Sequence, residues 1–513
     1  MTKVFRLSEF SSAGDLQWLN GGIACFGHFN AIHPGHIRYF RTAREHGRPL
    51  IVAVEGDAQL PDLERASVFP EEERAQSVAS LNLVDYVVIL DSGPLEEFVN
   101  EANIAALVLG KEFEGTRATK VAAAVIAAQN NGAQVFYDAG ETHYASAELL
   151  YGSPGELEKQ RCEAFLQAQK AQGVVMSDVF SIMEQGHQPH ILVIGDAIVD
   201  RYIACDPIGM SNEAPVVVVK EMEIRDYVGG AGIVAAHVAA LGARSTFLSV
   251  TGKDSRAQYI EDTLHDFGVD SLLFEDESRP TTFKIRYLVE NQKLFRVSRL
   301  KEHSLSRKIE DQLVDNIIKK AQGLDGILVS DFVYGVITPR IIETLSHVSR
   351  EYDIPLFGDL QCSSQVGNIL KFRDFFLICP TEREARIALA NHDDGVEYIA
   401  NLLIEKTRSI NTVLKLAGEG FITYTGQEEA GFLHRQHFPA LTINPVDVAG
   451  AGDALLSAMA VGLARGLSLM QASALACCVS AIAVQTIGNR PISLKQARRF
   501  YSQYLHNGKN DAV

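Results

Sequence analysis

Two short segments of this 513-residue chain combine glycine turns with side chains that suit phosphate chemistry. In the first, His33 and His36 stand behind a short apolar run, at the predicted start of a helix. Because the first N–H groups of a helix and its dipole attract anions, imidazoles there can stabilise charge on an α-phosphate and on departing pyrophosphate. The spacing predicts a triphosphate site; the simpler alternative is two surface histidines beside a turn.

The second segment, Asp447-Val-Ala-Gly-Ala-Gly-Asp453, opens an apolar helix. The consecutive small residues Gly450, Ala451 and Gly452 expose their N–H groups and predict an anion hole for a transferring γ-phosphoryl group. Asp453, in the first helical turn, is placed to take a proton from a sugar hydroxyl. The alternative that Asp453 only caps the helix stays open on the local sequence alone.

Composition limits the class of protein. Lys+Arg is 47 and Asp+Glu is 64, so the net charge is −17, which disfavours a nucleic-acid partner. A hydrophobic content of 47% indicates a folded chain. No uncharged apolar run approaches the roughly 18 residues that span a bilayer. We therefore expect a cytoplasmic protein without a membrane partner, whose seven scattered cysteines are buried thiols rather than zinc ligands.

Short apolar runs alternate with amphipathic helical patterns along most of the chain, which is typical of parallel sheets covered by helices. The runs predicted as strands include 22–27, 50–54, 86–90, 106–110 and 190–195. The pattern predicts one α/β domain over residues 1–150, a linker helix within 151–175 and a second α/β domain over 176–513. In the second domain, residues 215–221 and 281–298 alternate apolar and polar side chains. We expect these two stretches to form a small separate sheet.

The first domain resembles the cytidylyltransferase-like nucleotidyltransferases, whose pattern is G-x-F-D-x-x-H-x-G-H, over roughly residues 20–150. The resemblance implies a Rossmann-like fold in which His33 and His36 bind and activate a nucleoside triphosphate, ATP or CTP. It places Phe29 at the strand end and makes Arg74 and Lys111 candidates for phosphate contacts.

Two positions of this domain depart from the family pattern. The family aspartate is Asn30 here, which removes a negative charge beside the triphosphate. The late Ser/Thr-rich helix start of the family is Tyr-Ala-Ser146-Ala here, so Ser146 alone keeps a hydroxyl to meet phosphate.

The second domain resembles the ribokinase-type (PfkB) carbohydrate kinases, whose signature is D-x-x-G-A-G-D. The resemblance implies an α/β/α fold with a small β lid, Mg·ATP as phosphoryl donor and Asp453 as base. The further site residues implied by it are Asp200, Gly229 and Gly230 for the sugar, Gly418 and Gly420 for ATP, and Glu384 for Mg²⁺ through water.

Several strings, among them Arg279-Pro-Thr-Thr-Phe-Lys284, are most similar to one subgroup, the bifunctional heptose kinase/nucleotidylyltransferases. That subgroup usually has the kinase first, whereas here the transferase comes first. Ile233, Tyr334 and Gln361 replace an asparagine and two lysines of its sugar pocket. Their replacement leaves three basic residues as possible partners of a substrate phosphate, namely Lys284, Arg286 and Arg296. The alternative is a substrate that differs from heptose 7-phosphate.

The leading hypothesis is a bifunctional enzyme that phosphorylates a sugar or sugar phosphate, with heptose 7-phosphate as model, and then transfers a nucleotidyl group to a sugar 1-phosphate. Its ligands would be sugar phosphates and nucleoside triphosphates, and the resemblance implies a homodimer. The alternatives are a sugar kinase with a degenerate, nucleotide-sensing N-terminal domain and a non-catalytic assembly or regulatory protein.

Overall fold

A computed structural model describes residues 4–10, 19–30, 32, 34–60, 69–110, 113, 119–138, 154–210, 216–289, 292–361, 367–392, 394–429, 432–442 and 444–510. The chain divides into two compact units, one of residues 1–152 with 391–401 and the other of residues 153–390 with 402–513.

The first unit is built on a parallel sheet of six strands in the order β1-β4-β3-β2-β5-β6. Its central strands are apolar and buried, as expected for a sheet covered on both faces. The strands are β1 (Val4–Arg6), β2 (Ile23–Gly27), β3 (Leu50–Glu55), β4 (Tyr86–Leu90), β5 (Ala106–Gly110) and β6 (Gln134–Asp138). The helices are α1 (Pro34–Glu45), α2 (Glu71–Ala79), α3 (Leu95–Ala102) and α4 (Thr119–Asn130).

Strand order reverses at β2, which has β3 on one side and β5 on the other. Ligands of open α/β sheets bind in the crevice outside the carboxyl ends of the strands at such a point. The segment that follows β2 and leads into α1 contains the predicted triphosphate residues, so the topology supports the site that the sequence predicts.

The second unit has a sheet of nine strands in the order β11-β10-β7-β14-β15-β16-β17-β18-β19. The first seven are parallel and the last two pair antiparallel. The strands are β7 (His190–Gly195), β10 (Arg244–Thr251), β11 (Val269–Glu275), β14 (Gly326–Asp331), β15 (Leu356–Leu360), β16 (Leu377–Ile378), β17 (Asn411–Lys415), β18 (Phe421–Glu429) and β19 (Phe432–Phe438).

Helices pack around this sheet, and one buried helix, α13, runs through the main core. The helices of residues 153–513 are α5 (Pro154–Ala171), α6 (Met176–Gln185), α7 (Ala231–Ala240), α8 (Ser255–Asp266), α9 (Arg307–Ala321), α10 (Pro339–Tyr352), α11 (Glu382–Leu389), α12 (Val396–Thr407), α13 (Ala451–Ala464), α14 (Leu469–Ala483) and α15 (Leu494–Asn510). The part of α12 up to Asn401 belongs to the first unit.

A separate four-stranded sheet, here called the lid, has the order β13-β12-β8-β9. Its strands are β8 (Ala197–Met210), β9 (Val217–Gly230), β12 (Thr282–Val289) and β13 (Gln292–Arg299). The predicted small separate sheet is therefore confirmed. The sequence did not indicate that β8, which follows the first core strand almost without a break, belongs to it.

The helix expected as a linker, α5, packs as part of the second unit. Phe165 is fully buried in the main core of that unit. Arg161 donates to the carbonyls of Ala440 and Thr442 at 2.9 and 3.2 Å. These contacts make α5 a structural element of the second unit rather than a free connection.

Two expectations from composition can be compared with the described residues. No helix among them is long and apolar enough to cross a membrane. The cysteines that the structure describes are buried free thiols, as predicted.

Candidate active sites

In the first unit, aromatic packing fixes the start of the candidate triphosphate site. Phe29 is buried directly after β2 with a φ of 50°, a backbone conformation that non-glycine residues adopt only where the surroundings stabilise it. Its ring lies 5.1 Å from the ring of His36 and 5.1 Å from that of Phe40. The contact orients the His36 imidazole in the first turn of α1.

Arg74 is the residue whose placement differs most from its predicted role. It is 1% exposed, and its guanidinium donates to the carbonyls of Phe69 and His28 at 2.8 and 2.7 Å and to Asp57 Oδ1 at 2.6 Å. Arg74 thus stabilises the backbone at Phe69 and His28, next to the candidate site. These bonds use three of its five N–H donors, so a phosphate contact would have to come from the remaining two.

Asn30 also has a structural partner, since its Oδ1 accepts the Phe69 N–H at 2.7 Å. A pair that sequence reasoning missed lies beside it: His28 Nδ1 is 3.0 Å from Oε2 of the buried Glu55. The G-x-F-D pattern leaves the His28 position unspecified, so it gave no signal. His33, Lys111 and Ser146 lie outside the described residues, and their predicted roles stay predictions.

In the second unit, the Gly450–Gly452 turn begins α13 as predicted. Gly450 has a φ of 84°, which favours glycine, and it is the N-cap of the helix. Asp453 follows in the first turn and is 4% exposed. The N–H groups of the turn and the Asp453 carboxylate therefore lie at one helix end, where a phosphoryl group and a hydroxyl could both be bound.

Asp453 is held by a residue that the sequence indicated only as a departure. Gln361, directly after β15, donates from Nε2 to Asp453 Oδ1 at 2.7 Å. Burial, and after it the nearby Asp359, raises the pKa of Asp453 to about 7 although Lys415 and Lys284 oppose the shift. A carboxylate with a pKa near neutrality suits a general base.

A buried ion pair lies next to this base. Lys415, the last residue of β17, has its Nζ 2.7 Å from Asp359 Oδ2 of β15. Burial raises the pKa of Asp359 to about 6 although Lys415 opposes this. Burial alone would lower the pKa of Lys415, but Asp359 and Glu384 outweigh it and raise that pKa above its usual range. Sequence reasoning missed Lys415.

Glu384 is the predicted contact for Mg²⁺. It is buried at the start of α11 and accepts the Thr381 N–H at 2.8 Å in a capping box. No cluster of three or more His, Cys, Asp or Glu side chains with metal-ligand geometry occurs among the described residues. Mg²⁺ that is bound to substrate phosphates keeps several waters and needs only one or two protein carboxylates, so Glu384 fits a water-mediated contact.

The predicted sugar-binding residues meet where the lid joins the main sheet. Asp200 of β8 is buried, with Arg286 Nη1 2.5 Å from its Oδ1 and Asn489 Nδ2 3.2 Å from its Oδ2. Gly229 and Gly230 end β9 opposite β8. A side chain at Gly229 would place its Cβ 2.2 Å from Asp200 Oδ2, so the close approach requires glycine there.

Lys284 of β12 is 3% exposed and lies over two aromatic rings. Its Nζ is 4.9 Å from the ring centre of Phe332 and 5.1 Å from that of Tyr334. Within the described residues its ammonium has no carboxylate or hydrogen-bond partner. The Asp453 carboxylate acts on this ammonium electrostatically without forming an ion pair with it. An anion bound beside Lys284 could therefore form a direct ion pair.

The other sequence-predicted positions make none of the described contacts with Asp453. Arg296 is exposed on β13, opposite Arg286 in the strand register. Ile233 is fully buried in the core on α7. Gly418 lies in the 3₁₀ turn Ala417–Glu419 after β17, and Gly420 connects that turn to β18.

The lid is tied to the loop that precedes the phosphate turn. Tyr202 of β8 donates its hydroxyl proton to Asp447 Oδ2 at 2.8 Å, and Lys293 of β13 lies 2.5 Å from Asp447 Oδ1. Burial would raise the pKa of Asp447, but Lys293 and the other donors lower it below its usual value. One buried carboxylate therefore joins two lid strands to the Gly450–Gly452 turn.

The second unit, with a lid beside the carboxyl edge of its sheet and a glycine turn at the start of a central helix, defines a ribokinase-like α/β protein. The family model for pfkB family carbohydrate kinases matches residues 188–496, and the cytidylyltransferase-like model matches residues 24–124. Since the first match covers more than half of the chain, the chain belongs to the pfkB family of carbohydrate kinases. The predicted fold class is confirmed.

Curated relatives include proteins with the name Bifunctional protein HldE. The relative from Geotalea uraniireducens is 32% identical over 322 residues, which are 62% of this chain and 64% of that protein. The relative from Trichlorobacter lovleyi is 30% identical over 319 residues, 61% of this chain and 63% of that protein. The match thus spans just under two thirds of the length of these relatives.

Among solved structures, phosphofructokinase-2 from Escherichia coli in complex with substrates and products superposes with a TM-score of 0.52 and 16% identity. It covers 62% of this chain and 100% of that one. The likeness shows the fold of the second unit.

Proposed function

We propose that this protein is a bifunctional enzyme that phosphorylates a sugar phosphate with ATP and transfers a nucleotidyl group to a sugar 1-phosphate. The observation that carries the proposal is the buried Asp453, whose pKa of about 7 and place beside the Gly450–Gly452 turn suit a base next to an anion hole. The matches to both family models and to relatives described as bifunctional support it.

In the kinase step, Asp453 takes the proton of a sugar hydroxyl while the oxygen attacks the γ-phosphorus. The bond between that phosphorus and ADP breaks, and the N–H groups of the Gly450–Gly452 turn donate hydrogen bonds that stabilise the charge on the phosphoryl oxygens. Gln361 fixes one Asp453 oxygen at 2.7 Å, which leaves the other for the hydroxyl. Mg²⁺, when bound with ATP, would neutralise phosphate charge, and Glu384 would hold it through water.

The sugar is proposed to carry a phosphate of its own. Asp200 and Asn489, with the Gly229–Gly230 turn, offer hydrogen-bonding groups to hydroxyls at the base of the lid. Lys284 offers a buried ammonium over Phe332 and Tyr334. A neutral sugar would leave that ammonium without an ion pair, whereas a phosphate would form one with it. Heptose 7-phosphate, indicated by the sequence resemblance, is the first substrate to test.

In the transferase step, the sugar 1-phosphate attacks the α-phosphorus of ATP or CTP and pyrophosphate leaves. His36, held by Phe29, would stabilise charge on the phosphates, with His33 beside it by resemblance. The alternative of a nucleotide-sensing domain predicts triphosphate binding without pyrophosphate release.

Phosphorus NMR of the full-length protein tests the proposal. With Mg·ATP and heptose 7-phosphate, a new anomeric phosphate resonance is the expected result, and Asp453→Asn should abolish it. Asp266→Asn, an exposed aspartate of α8, is the matched control. Absence of any phosphorylated product with heptose 7-phosphate, and with a panel of other sugar phosphates, would refute the kinase step.

Pyrophosphate release measured with the 1-phosphate product and each triphosphate then tests the second step. His36→Ala should abolish release and leave the kinase signal intact. Release that is unaffected in His36→Ala would contradict the role given to this imidazole.

A further inference from the structure

A buried lysine lies against the phosphate turn of the second unit. An ideal Cβ built on Gly452 would be 3.1 Å from Lys415 Nζ and 3.8 Å from Asp359 Oδ2. Because Gly452 has no Cβ, the ammonium can approach the backbone whose N–H groups would bind a phosphoryl group in the proposed kinase step. The lysine side chain is 12% exposed and Asp359 is fully buried, so the ion pair is shielded from water.

This ammonium interacts with three carboxylates, so its role is not limited to neutralising Asp359. Asp359 pairs with it directly, and Asp453 and Glu384 both interact with it electrostatically. Removing a buried ion pair in favour of neutral groups is often neutral or stabilising, so the pair by itself contributes little to the fold. A buried ammonium between a general base and an anion hole has a different use, since a lysine beside a transferring phosphoryl group stabilises its charge.

We infer that Lys415 is a catalytic residue of the kinase step, a fixed cation that contacts the transferring phosphoryl group at the Gly450–Gly452 turn. The inference rests on the proposed kinase function. In this step the bond from the sugar oxygen to the γ-phosphorus forms and the bond from that phosphorus to ADP breaks. The hydroxyl proton passes to Asp453, and Lys415 stays protonated throughout. Asp359 keeps the ammonium in place by its 2.7 Å contact.

Two variants distinguish a contact between Lys415 and phosphate from a role of Lys415 that is limited to neutralising Asp359. Lys415→Met removes the cation and leaves a buried carboxylate without its partner, which can destabilise the fold. The double variant Lys415→Met/Asp359→Asn removes both charges and keeps the volume close to that of the original pair. Lys371→Met is the matched control, because Lys371 also pairs with a buried aspartate, Asp331, at the end of the neighbouring strand β14.

The readouts are binding of ADP and of a non-hydrolysable ATP analogue by calorimetry, with Mg²⁺ and full-length protein, and kcat of the kinase step. The preference for the analogue is the ratio of its affinity to that of ADP. We expect this ratio to fall about tenfold or more in both Lys415 variants, because a charge-assisted contact to the γ-phosphate is lost. The kcat should fall on the order of 10²–10³-fold. Lys371→Met should keep the wild-type preference.

The outcomes are distinct. A double variant, shown by thermal melting to be folded, that regains the wild-type preference and kcat would overturn the inference, since the lysine would then serve only Asp359. An unchanged preference in both variants would overturn it as well, with the kinase function intact. Wild-type protein that binds neither nucleotide would refute the proposed kinase function itself and, with it, the role of Lys415.

Discussion

The hydrogen bond from Gln361 to Asp453 should set the pH at which the kinase becomes active. Gln361→Met keeps the length of the side chain and removes the donor that lies 2.7 Å from Asp453 Oδ1. A hydrogen bond to a charged group contributes about 1.5–3 kcal/mol, and 1.36 kcal/mol corresponds to one pKa unit. The change should therefore raise the pKa of Asp453 by about one to two units from its value of about 7.

The direction of the pH dependence follows from the role of Asp453 as the base. Asp453 must be ionised to accept a proton, so kcat/KM should rise with pH through the pKa of Asp453 and level off above it. In Gln361→Met this rise moves to higher pH. At pH 7 the ionised fraction falls from about a half to a few per cent, which lowers kcat/KM roughly 5–50-fold, and the deficit shrinks as the pH approaches about 9 or 10.

The other charges that act on Asp453 stay in place in this variant: Asp359, Lys415, Asp200 and Lys284. The assay is kcat/KM from about pH 5 to about pH 10 by a coupled measurement of ADP. Gln258→Met, which removes an exposed Gln–Asp bond of 2.9 Å on α8, is the matched control and should not move the profile. If kcat/KM rises over the same pH range in wild type and in Gln361→Met, the proposed effect of Gln361 on the pKa of Asp453 is refuted.

Three further predictions concern the second unit. Lys284→Met should raise KM for a phosphorylated sugar about tenfold or more, with little effect on an analogue without that phosphate; an equal effect on both would exclude a phosphate contact. Asp196 lies buried next to Asp331, and burial raises the pKa of Asp196 from 3.8 to about 7. Between about pH 4 and 7, the native protein therefore keeps a proton on Asp196 that the unfolded chain has released. The free energy of unfolding should therefore fall as the pH rises through that window. Asp196→Asn can still accept the Phe332 N–H, so it should flatten the dependence of Tm on pH and, at about pH 8, raise the free energy of unfolding by a few kcal/mol. The same dependence of Tm on pH in Asp196→Asn and in the control Asp266→Asn would contradict this. Lys293→Met breaks one lid contact of Asp447 and should raise KM for the sugar by about threefold at most, since the Lys293 side chain is 40% exposed; a loss of kcat without a change in KM would argue against a lid role.

Local sequence predicted the strands that carry the two sites with good accuracy. The apolar runs at 22–27, 50–54, 86–90, 106–110 and 190–195 correspond to β2, β3, β4, β5 and β7. These strands are continuous and buried, so the pattern of apolar residues is sufficient to locate them. The 14-residue strand β8 was missed because its charged residues, such as Arg201, pair across the lid with Asp226 of β9, and such a partner is visible only once the sheet is formed.

The partners of the site residues were the part that sequence could not supply. Gln361 was noted only as a missing lysine, and its bond to Asp453 joins residues 92 positions apart. Lys415 stands next to the glycine stretch that was singled out, but its partner Asp359 is 56 residues away. Arg74 shows the converse, since the sequence predicted a phosphate contact and could not show that the fold uses three of its five N–H donors internally.

The contact of the lid with Asp447 has a consequence for how the two kinase substrates affect each other. The strands β8 and β13 that reach Asp447 belong to the sheet that contains Asp200 and Lys284, whereas Asp447 begins the segment that contains Gly450. A sugar that stabilises the lid in this position also stabilises the nucleotide turn. Thermodynamic linkage then requires reciprocity: whatever factor the sugar adds to the affinity for ATP, ATP must add to the affinity for the sugar.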